Sequence, residues 1–420
     1  MIEKDITEYI GSICEEAKNA SRVIANLSTN EKNKILYDIA AAIREKSGFI
    51  ADENKKDLSE ADKAGLSKAV RDRLLLNSDR LNGMAASIED IARLEDPVGR
   101  IESMSVRPSG IRVGQMRVPI GVVAVIYESR PNVTTDIAAL AIKSGNAAIL
   151  RGGKESIFSN KALYSVINEV LKKSVCPVGA VSFIDRTEHE AVIQLLKMSG
   201  YIDIVIPRGG ESLIKMVSAE SRIPVIKHDK GVCHTFIDKS AEPEMAINIS
   251  VNAKVQRPGV CNAMETLLIH KDFPETKRLL KALIDKGVEI RGCDRTLAIL
   301  PEKVKKASEA DWHEEYLDLI LAVRIVDSME EAINHIHRYG SNHSEAIVTA
   351  DYENAENYLK KVDSSAVFVN SSTRFHDGGE FGLGAEIGIS TQKLHARGTM
   401  GIMGLTCLKY VIYGSGQIRN

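Results

Sequence analysis

The sequence predicts an α/β fold in which two α/β domains with parallel-rich sheets are joined by a β-ribbon arm. Three observations lead to this prediction. The chain has 420 residues, whereas a single domain usually needs roughly 100–200. Short buried strand patterns alternate with amphipathic helix patterns over most of its length, as in parallel sheets covered by helices. Between a helical N-terminal region and this alternation lies an exposed extended segment that needs a partner strand.

The composition is that of a globular protein in water. Hydrophobic residues make up 44% and charged residues 27% of the chain. The formal net charge of −2 provides no polyanion-binding surface, so we expect no nucleic-acid partner. Residues 1–20 carry frequent acidic side chains and no long apolar run, which predicts neither a signal peptide nor a membrane anchor. The cysteines are scattered without CxxC pairs, and we therefore expect a reducing, cytoplasmic location.

Residues 6–94 show a helical pattern almost throughout. Ser28 and Glu31 have the spacing of a capping box, and Ile35 and Ile39 then fall on one helical face. This region predicts a helical layer ahead of the first sheet.

Two extended segments follow, within residues 109–128. The second is an apolar run that predicts a buried parallel strand. The first, residues 111–118, alternates basic and polar residues with apolar ones and predicts an exposed ribbon. The tail LTCLKYVIYGSGQ alternates like an edge strand, and we expect it to pair with the ribbon across a subunit boundary. Segments 106–118 and 396–420 are thus predicted to form the oligomerisation arm of a homodimer or higher homo-oligomer.

The alternation of strands and helices then defines the domains. The helix TTDIAALAIKSG should end at Gly145, a suitable C-terminal cap, and NAAILRGG should be a short buried strand. Ligands of such sheets bind at the carboxyl ends of the strands. We predict a dinucleotide-binding domain in residues 1–228, apart from the arm, and a catalytic domain in residues 229–395.

The stretch QRPGVCNAME places Cys261 in a turn between a helical and a strand-like pattern. Pro258 and Gly259 break the helix, and Gly259 allows backbone or ligand to approach closely. Asn262 is polar, so the Cys261 thiol is not expected in the core. Packing and nucleophilic roles remain equally open on this local context, and a cysteine hydrolase that pairs Cys261 with His228 or His234 is one alternative.

The remaining cysteines and the histidines are less informative. We expect packing roles for Cys14, Cys176, Cys233 and Cys407, because free cysteine is mostly a small buried hydrophobe, and leave Cys293 undecided. The sequence has no HExxH motif and no cysteine cluster, so no metal site is expected.

A thiol that attacks a carbonyl needs donors that stabilise the resulting oxyanion, usually a backbone N–H and a side-chain amide. Asn132 in YESRPNVTTD is a candidate, because it follows the buried strand GVVAVI and precedes a helix. The alternative is that residues 130–132 form only a turn with a helix cap.

Two glycine pairs stand at strand ends. The turn in ILRGGKES is basic and suits a phosphate group, although it lacks full Walker spacing. Its residues are Arg151, Gly152, Gly153 and Lys154. Gly209 and Gly210, in RGGES, form a similar turn suited to a pyrophosphate. GLGAEIG at 382–388 has one residue too many for GxGxxG and is interpreted as a loop.

Three distant stretches together resemble the aldehyde dehydrogenase superfamily over nearly the whole chain. They are IYESRPNVTTDIAALAIKSGNAAILRGGKES, AKVQRPGVCNAMETLLIH and VNSSTRFHDGGEFGLGAEIGISTQKLHARGTMG. The resemblance implies an aldehyde-dehydrogenase-like fold, with Cys261 as the nucleophile and Asn132 as the oxyanion amide.

The resemblance also implies a cofactor site and a substrate site. Arg151 and Lys154 match the turn at the adenosine end of the cofactor, and Gly209 and Gly210 the turn near its pyrophosphate. Glu315 matches the glutamate that contacts the nicotinamide ribose, although the usual Phe-Gly-Pro after it is here Leu-Asp-Leu. The implied substrate residues are Arg130, Asn370, Ser371, Arg374 and Phe381.

One departure from the superfamily bears on the reaction. Aldehyde-oxidising members carry a glutamate that activates water for thioester cleavage, but VIKHDKGVCH has Lys227 and His228 there. The resemblance therefore implies NADPH-dependent reduction of L-glutamate 5-phosphate to L-glutamate 5-semialdehyde and phosphate, through a cysteine thioacyl intermediate in proline biosynthesis. It also implies contact with the glutamate kinase that supplies the acyl phosphate. The alternatives are another acylating or aldehyde-oxidising dehydrogenase of the same fold, and a non-catalytic nucleotide-binding protein.

Overall fold

The structure is a computed structural model that describes residues 2–227 and 230–419. The chain forms two compact units. The first comprises the residues up to 227 together with 382–388 and the segment from 399 onward, and the second comprises the residues between 227 and 382 together with 389–398. The sequence-based division placed residues 382–388 in the second domain, whereas they pack with the first unit.

The first unit begins with a layer of helices. These are α1 Ile2–Ile24, α2 Thr29–Glu45, α3 Ser47–Lys63, α4 Lys68–Leu74 and α5 Ser78–Arg93. At the start of α2 the Ser28 hydroxyl accepts the Glu31 N–H at 3.3 Å, and the Glu31 carboxylate accepts the Ser28 N–H at 2.7 Å. The predicted capping box is confirmed, and it satisfies two N–H groups that the helix itself leaves without partners.

Six strands and four helices follow in this unit. The strands are β1 Ile101–Val106, β2 Arg112–Pro119, β3 Val122–Tyr127, β4 Ala147–Gly152, β5 Val181–Phe183 and β6 Ile204–Arg208. The helices are α6 Asn132–Ser144, α7 Ile157–Leu171, α8 His189–Leu196 and α9 Glu211–Glu220. The predicted end of α6 is confirmed, because Gly145 caps it with a left-handed φ of 74°.

Strands β3 to β6 form a parallel sheet in the order β5-β4-β3-β6. All residues of β3 are buried, because helices cover both faces of such a sheet. Ile6 and Ile10 of α1 pack on one face, against Ile126 and Ile149 among others. The carboxyl ends of β3, β4 and β6 lead directly into the turns that carry the predicted cofactor and oxyanion residues.

The second unit is built on a larger sheet. Its strands are β7 Cys233–Ile237, β8 Met264–His270, β9 Glu289–Gly292, β10 Val304–Lys306, β11 Ile320–Val326, β12 Ser344–Val348 and β13 Ala366–Val369. They pair in parallel in the order β10-β9-β11-β8-β7-β12-β13. The helices are α10 Pro243–Val255, α11 Thr276–Asp285, α12 Asp294–Ile299, α13 Met329–Tyr339 and α14 Tyr352–Lys361. Two short strands follow, β14 Ile389–Ser390 and β15 Gly398–Thr399.

Apolar residues fill both faces of this second sheet. Side chains alternate along a strand, so Leu267 and Leu268 of β8 point to opposite faces. Leu267 packs with Leu279 of α11, and Leu268 packs with Ile333 of α13. The central strands are therefore held from both sides, which fixes the loops at their ends.

The last strand, β16 Thr406–Tyr413, completes a three-stranded antiparallel ribbon in the order β1-β2-β16. Thr406 pairs with Pro119 and Tyr413 with Arg112 of the same chain. The predicted pairing of tail and ribbon is confirmed, but its placement across a subunit boundary is wrong, because the chain folds back to supply its own third strand. The predicted packing role of Cys407 is also wrong within the single chain, since its side chain is exposed.

Within residues 2–227 and 230–419, no helix combines the length and the apolar character required to cross a lipid bilayer.

Candidate active site

Cys261 lies in the loop between α10 and β8, and its side chain is half-buried. The thiol of Cys233, on β7, donates a hydrogen bond of 3.1 Å to the Cys261 carbonyl. Burial raises the pKa of the Cys233 thiol well above its usual value, so Cys233 keeps its proton and the bond. Cys233 thus packs and positions, whereas Cys261 remains accessible.

Gly231 fixes the backbone of Cys261 from the other side. A Cβ at Gly231 would lie 2.0 Å from the Cys261 carbonyl oxygen, so a residue with a side chain does not fit there. The Gly231 N–H donates a 3.0 Å hydrogen bond to the carboxylate of Glu315, which is half-buried. Gly231 therefore links Glu315, the glutamate predicted to contact the nicotinamide ribose, to the backbone of Cys261.

A buried ion pair closes the base of the Cys261 loop. Lys254, in the last turn of α10, donates a 2.6 Å hydrogen bond to Glu265 at the start of β8, and both side chains are fully buried. The second oxygen of Glu265 accepts the N–H of Leu317 at 3.2 Å, where the backbone is left-handed with a φ of 53°. Burial raises the pKa of Glu265 to about 7 and lowers the pKa of Lys254. The pair holds both ends of the loop together and also fixes the segment that carries Glu315.

Arg374 lies beside the residue that follows Cys261. Its guanidinium donates to the side-chain oxygen of Asn262, and its Nε donates to the Gln256 side chain at 2.8 Å. The Asn262 amide donates to the His376 carbonyl at 3.0 Å, and the Thr373 hydroxyl donates to the Asn262 carbonyl at 2.8 Å. Burial is the main cause of a lowered pKa at Arg374. The structure thus brings the predicted substrate residue Arg374 next to the predicted nucleophile.

The other predicted substrate residues are placed differently. The side-chain amide of Asn370, in a left-handed conformation with φ of 54°, makes two 2.9 Å hydrogen bonds to the backbone of Thr349. Ser371 is half-buried. Phe381 is 45% exposed and stacks on His376 with ring centroids 5.5 Å apart. Arg130, in the first unit, is exposed.

The structure does not support His234 as a hydrolase partner of Cys261. His234 is fully buried, and its Nδ1 lies 3.0 Å from the carboxylate of Glu345, which is also fully buried. It is therefore a core residue of the second unit. His228 lies outside the described residues.

In the first unit, Asn132 is the first residue of α6 and is exposed. Its side chain does not cap the helix. The amide nitrogen instead donates a 2.9 Å hydrogen bond to the carboxylate of Asp136, one turn further along. Burial raises the pKa of Asp136 to about 6.

The turn after β4 contains the predicted basic residues. Lys154 is exposed, whereas Arg151 is half-buried and donates to the carbonyl of Thr187 at 2.9 Å. Glu155 accepts the N–H and the hydroxyl of Ser129 at 2.6 and 2.7 Å. Ser129 has a left-handed φ of 40° and begins the turn that leads to Asn132. The basic turn therefore also fixes the oxyanion candidate.

The turn after β6 binds the side-chain carboxylate of Glu128. The N–H of Gly210, at the start of α9, donates a 2.9 Å hydrogen bond to the Glu128 carboxylate. A Cβ at Gly209 would lie 2.4 Å from the same carboxylate. Helix N-termini favour anions, and here a side chain takes that position.

Sequence reasoning missed several residues around these sites. Gly231 occurs in KGVCH, where neither spacing nor composition marks a contact with Cys261. The packing role predicted for Cys233 is confirmed, but its hydrogen bond to Cys261 was not predicted. Glu128 and Asp136 lie four residues before and four residues after Asn132, in the predicted turn and helix. These acidic side chains were the signal that could have indicated a contact. Among the described residues, no group of three or more histidine, cysteine or acidic side chains is arranged to bind a metal.

Comparisons with known proteins agree with this architecture. The profile described as "Aldehyde dehydrogenase family" matches residues 2–295. A curated γ-glutamyl phosphate reductase from Caldanaerobacter subterraneus subsp. tengcongensis is 54% identical over 407 residues, which cover 96% of this chain and 98% of that protein. One from Geobacter sp. (strain M21) is 52% identical over 416 residues and 99% of each chain.

A solved structure is also similar. The crystal structure of γ-glutamyl phosphate reductase from Thermotoga maritima superimposes with a TM-score of 0.95 at 43% identity, covering 98% of this chain and 100% of that chain. The predicted aldehyde-dehydrogenase-like α/β fold is thereby confirmed.

Proposed function

This chain belongs to the aldehyde dehydrogenase family and, within it, to the γ-glutamyl phosphate reductases, and from that premise we propose how its residues perform the reaction. The reaction is the reduction of L-glutamate 5-phosphate to L-glutamate 5-semialdehyde and phosphate, a step of proline biosynthesis. The observation that carries the assignment to this site is the half-buried thiol of Cys261, on a loop whose backbone is fixed by Gly231 and Cys233.

In the first half-reaction the Cys261 thiolate attacks the C5 carbonyl of the acyl phosphate. A sulfur–carbon bond forms, the carbon–oxygen bond to phosphate breaks, and the electron pair leaves with phosphate. The product is a thioester on Cys261. Phosphate is a good leaving group, so this step requires no general acid.

The tetrahedral oxyanions that precede and follow the thioester need hydrogen-bond donors. We assign this role to the Asn132 amide and the backbone N–H of Cys261. Asn132 is exposed at the carboxyl end of a buried strand, where ligands of such sheets bind. Asp136 accepts one of its two amide N–H groups, and the other is available to an oxyanion.

The residues present suit a nicotinamide dinucleotide. Lys154 offers an exposed ammonium, Gly209 and Gly210 form a turn without side chains at the start of α9, and Glu315 has a carboxylate held by Gly231. NADPH, when bound, supplies the hydride that converts the thioester to the aldehyde level. Arg151 and Lys154 favour the 2′-phosphate of NADPH, where NAD-specific sites use an acidic residue on the ribose.

The chain lacks the glutamate that serves as hydrolytic base in aldehyde-oxidising relatives. Lys227 and His228 stand there instead, and an ammonium cannot activate water as a carboxylate does. The thioester therefore survives until hydride transfer, and activated substrate is not lost to hydrolysis.

We also propose the setting in which the enzyme works. All six cysteines are free, which suits a reducing cytoplasm. The ribbon exposes apolar side chains such as Val106 and Tyr410, 70% and 68% exposed, and suits contact with a second copy of the chain. Contact with glutamate kinase would deliver the labile acyl phosphate directly.

The reverse reaction tests the function without requiring the unstable acyl phosphate. Wild type should reduce NADP⁺ with L-glutamate 5-semialdehyde only when inorganic phosphate is present, and NAD⁺ should bind more weakly than NADP⁺. Cys261→Ser should lose this activity, whereas Cys407→Ser, which changes an exposed thiol on the ribbon, should retain it. NADP⁺ reduction that is independent of phosphate, or that survives in Cys261→Ser, would contradict the proposal.

A further inference from the structure

Two arginines lie at the Cys261 loop. Arg257 is on the loop itself and exposed, and Arg374 is half-buried and bonded to Asn262 and Gln256. The positive charge of Arg257 lies close enough to lower the pKa of Arg374, second only to burial. The two guanidinium groups therefore repel each other, and a bound anion would relieve this repulsion.

No carboxylate of the described residues lies within ion-pair distance of these two arginines. Neither Arg257 nor Arg374 forms an ion pair within residues 2–227 and 230–419, whereas most exposed arginines of the second unit do, for example Arg338 with Glu309 at 3.0 Å. The acidic residue nearest in sequence to Arg374 is Asp377. Asp377 favours the charge of Arg374 electrostatically, but its carboxylate accepts the N–H of Gly379 at 2.9 Å and forms no ion pair with Arg374. A partly buried cation without an ion-pair partner costs free energy that a bound anion recovers.

The position of Arg374 relative to the nucleophile is fixed. The main-chain carbonyls of Arg374 and His376 accept hydrogen bonds from the side-chain amide of Asn262, the residue next to Cys261. The Thr373 hydroxyl donates to the carbonyl of Asn262. The thiolate of Cys261 also acts on Arg374 electrostatically, in the direction that favours its charge. An anion on these arginines would therefore lie next to the carbonyl carbon that Cys261 attacks.

We propose that Arg257 and Arg374 form the binding site for the phosphoryl group of the substrate, both as the leaving group and as free phosphate. The proposal rests on the proposed function and adds the residues that bind the phosphate. When the bond between Cys261 sulfur and C5 forms and the C5–O bond breaks, the electron pair passes to the phosphate oxygen. The two guanidinium groups stabilise the charge that this oxygen gains.

The α-carboxylate of glutamate offers the same oxyanion chemistry. The phosphoryl group is attached directly to the reacting carbon, whereas the α-carboxylate is separated from it by three carbon atoms. A site one residue from Cys261 therefore fits the phosphoryl group better.

The reverse reaction separates the two anions, because phosphate and L-glutamate 5-semialdehyde are then different substrates. Arg257→Gln and Arg374→Gln should each raise the KM for inorganic phosphate by at least about tenfold and leave the KM for the semialdehyde within about threefold. Arg374→Lys, which keeps the charge but not the planar hydrogen bonds, should give an intermediate value. Arg338→Gln is the matched control, since it removes an exposed arginine of the same unit, and should leave both constants unchanged.

A binding measurement makes the test independent of turnover. Inorganic phosphate should slow the alkylation of Cys261 by iodoacetamide in wild type, and should not slow it in either glutamine variant. Mass spectrometry of the peptide that contains Cys261 measures the alkylation. Arg257→Gln is informative even if Arg374→Gln disturbs the loop, because Arg257 makes no side-chain hydrogen bond among the described residues.

Two results would overturn the inference. An unchanged KM for phosphate in Arg257→Gln and Arg374→Gln would show that phosphate binds elsewhere. A raised KM for the semialdehyde alone would assign the arginines to the α-carboxylate. If wild type shows no phosphate-dependent NADP⁺ reduction while phosphate still protects Cys261 through these arginines, the proposed function fails and the anion site stands.

Discussion

The amide nitrogen of Asn132 donates a 2.9 Å hydrogen bond to the carboxylate of Asp136, which lies one turn further along the same helix. An ionised carboxylate only accepts hydrogen bonds, so Asp136 orients the Asn132 amide with its nitrogen towards the carboxylate. This hydrogen bond uses one of the two N–H groups of the amide. The other N–H remains for an oxyanion. Asp136 therefore acts as a positioning residue for Asn132.

The role of Asp136 predicts a specific coupling. Asn132→Ala should lower turnover by about 10²–10³-fold, the usual effect of removing one oxyanion donor. Asp136→Ala should lower it less, by roughly tenfold, and should have no further effect in the Asn132→Ala background. Turnover numbers of the two single variants and the double variant provide the measurement. Additive losses would mean that Asp136 acts independently of the amide.

The close packing of Gly231 on Cys261 predicts an intolerant position. In Gly231→Ala the new methyl group would meet the Cys261 carbonyl, so we expect a loss of about 1–3 kcal/mol in stability and a displaced nucleophile. Thermal unfolding and the rate of Cys261 alkylation measure the two effects. Gly259→Ala is the control, because the nearest atom to its Cβ would be 3.6 Å away. Equal losses of stability and equal alkylation rates in Gly231→Ala and Gly259→Ala would refute the packing argument.

The buried Lys254–Glu265 pair predicts a pH-dependent stability defect. Lys254→Met leaves a buried carboxylate without its counter-charge, and such losses are about 3–5 kcal/mol. Burial already raises the pKa of Glu265 to about 7, and removal of Lys254 raises it further. The folded variant therefore binds a proton more tightly than the unfolded chain, so the defect should shrink as the pH falls from 8 towards 5.

The measurement is the midpoint of thermal unfolding of Lys254→Met and wild type across this pH range. Lys305→Met serves as the control, because Lys305 forms an exposed pair with Glu289 and its loss should cost at most about 1 kcal/mol. A defect that grows towards pH 5 would show that Glu265 is not the group left unpaired.

The carboxylate at the start of α9 predicts a gain of nucleotide affinity. Glu128→Gln keeps an oxygen acceptor for the Gly210 N–H but removes a negative charge near the proposed pyrophosphate position. At about 4 Å and high dielectric this repulsion is about 1 kcal/mol, so NADP⁺ should bind roughly fivefold more tightly, and more so at low salt. Calorimetric titration at two salt concentrations measures the change. Glu220→Gln, at the far end of the same helix, should change nothing, and weaker binding in Glu128→Gln would mean that Glu128 itself contacts the nucleotide.

Much of the fold and the position of Cys261, the proposed nucleophile, could be predicted, because they depend on local patterns. Gly145 ends α6 where a left-handed cap was expected, and Cys261 lies in the turn that Pro258 and Gly259 indicated. Asn132 stands at the carboxyl end of β3, as the apolar run before it implied. These features follow from periodicity and backbone preference alone.

The features that could not be predicted depend on which segments meet. Glu128 in one turn and Gly210 in another are neighbours only because β3 and β6 pair in the sheet. Acidic residues at strand ends are usually solvated, so neither Glu128 nor Glu155 indicated that a carboxylate would fill a turn. The ribbon was predicted with the correct strands but the wrong chain as partner, because an edge pattern specifies that a partner exists and not which molecule supplies it.

The ribbon has a consequence for the order in which the protein is made. Strand β2 pairs with β16, yet the ribosome produces the entire long segment of the second unit between them. Until β16 emerges, one edge of β2 offers unpaired N–H and carbonyl groups beside the apolar side chains of the ribbon. Nascent chains on neighbouring ribosomes of one messenger RNA carry the same open edge, so two such chains can pair wrongly through β2 until β16 is made.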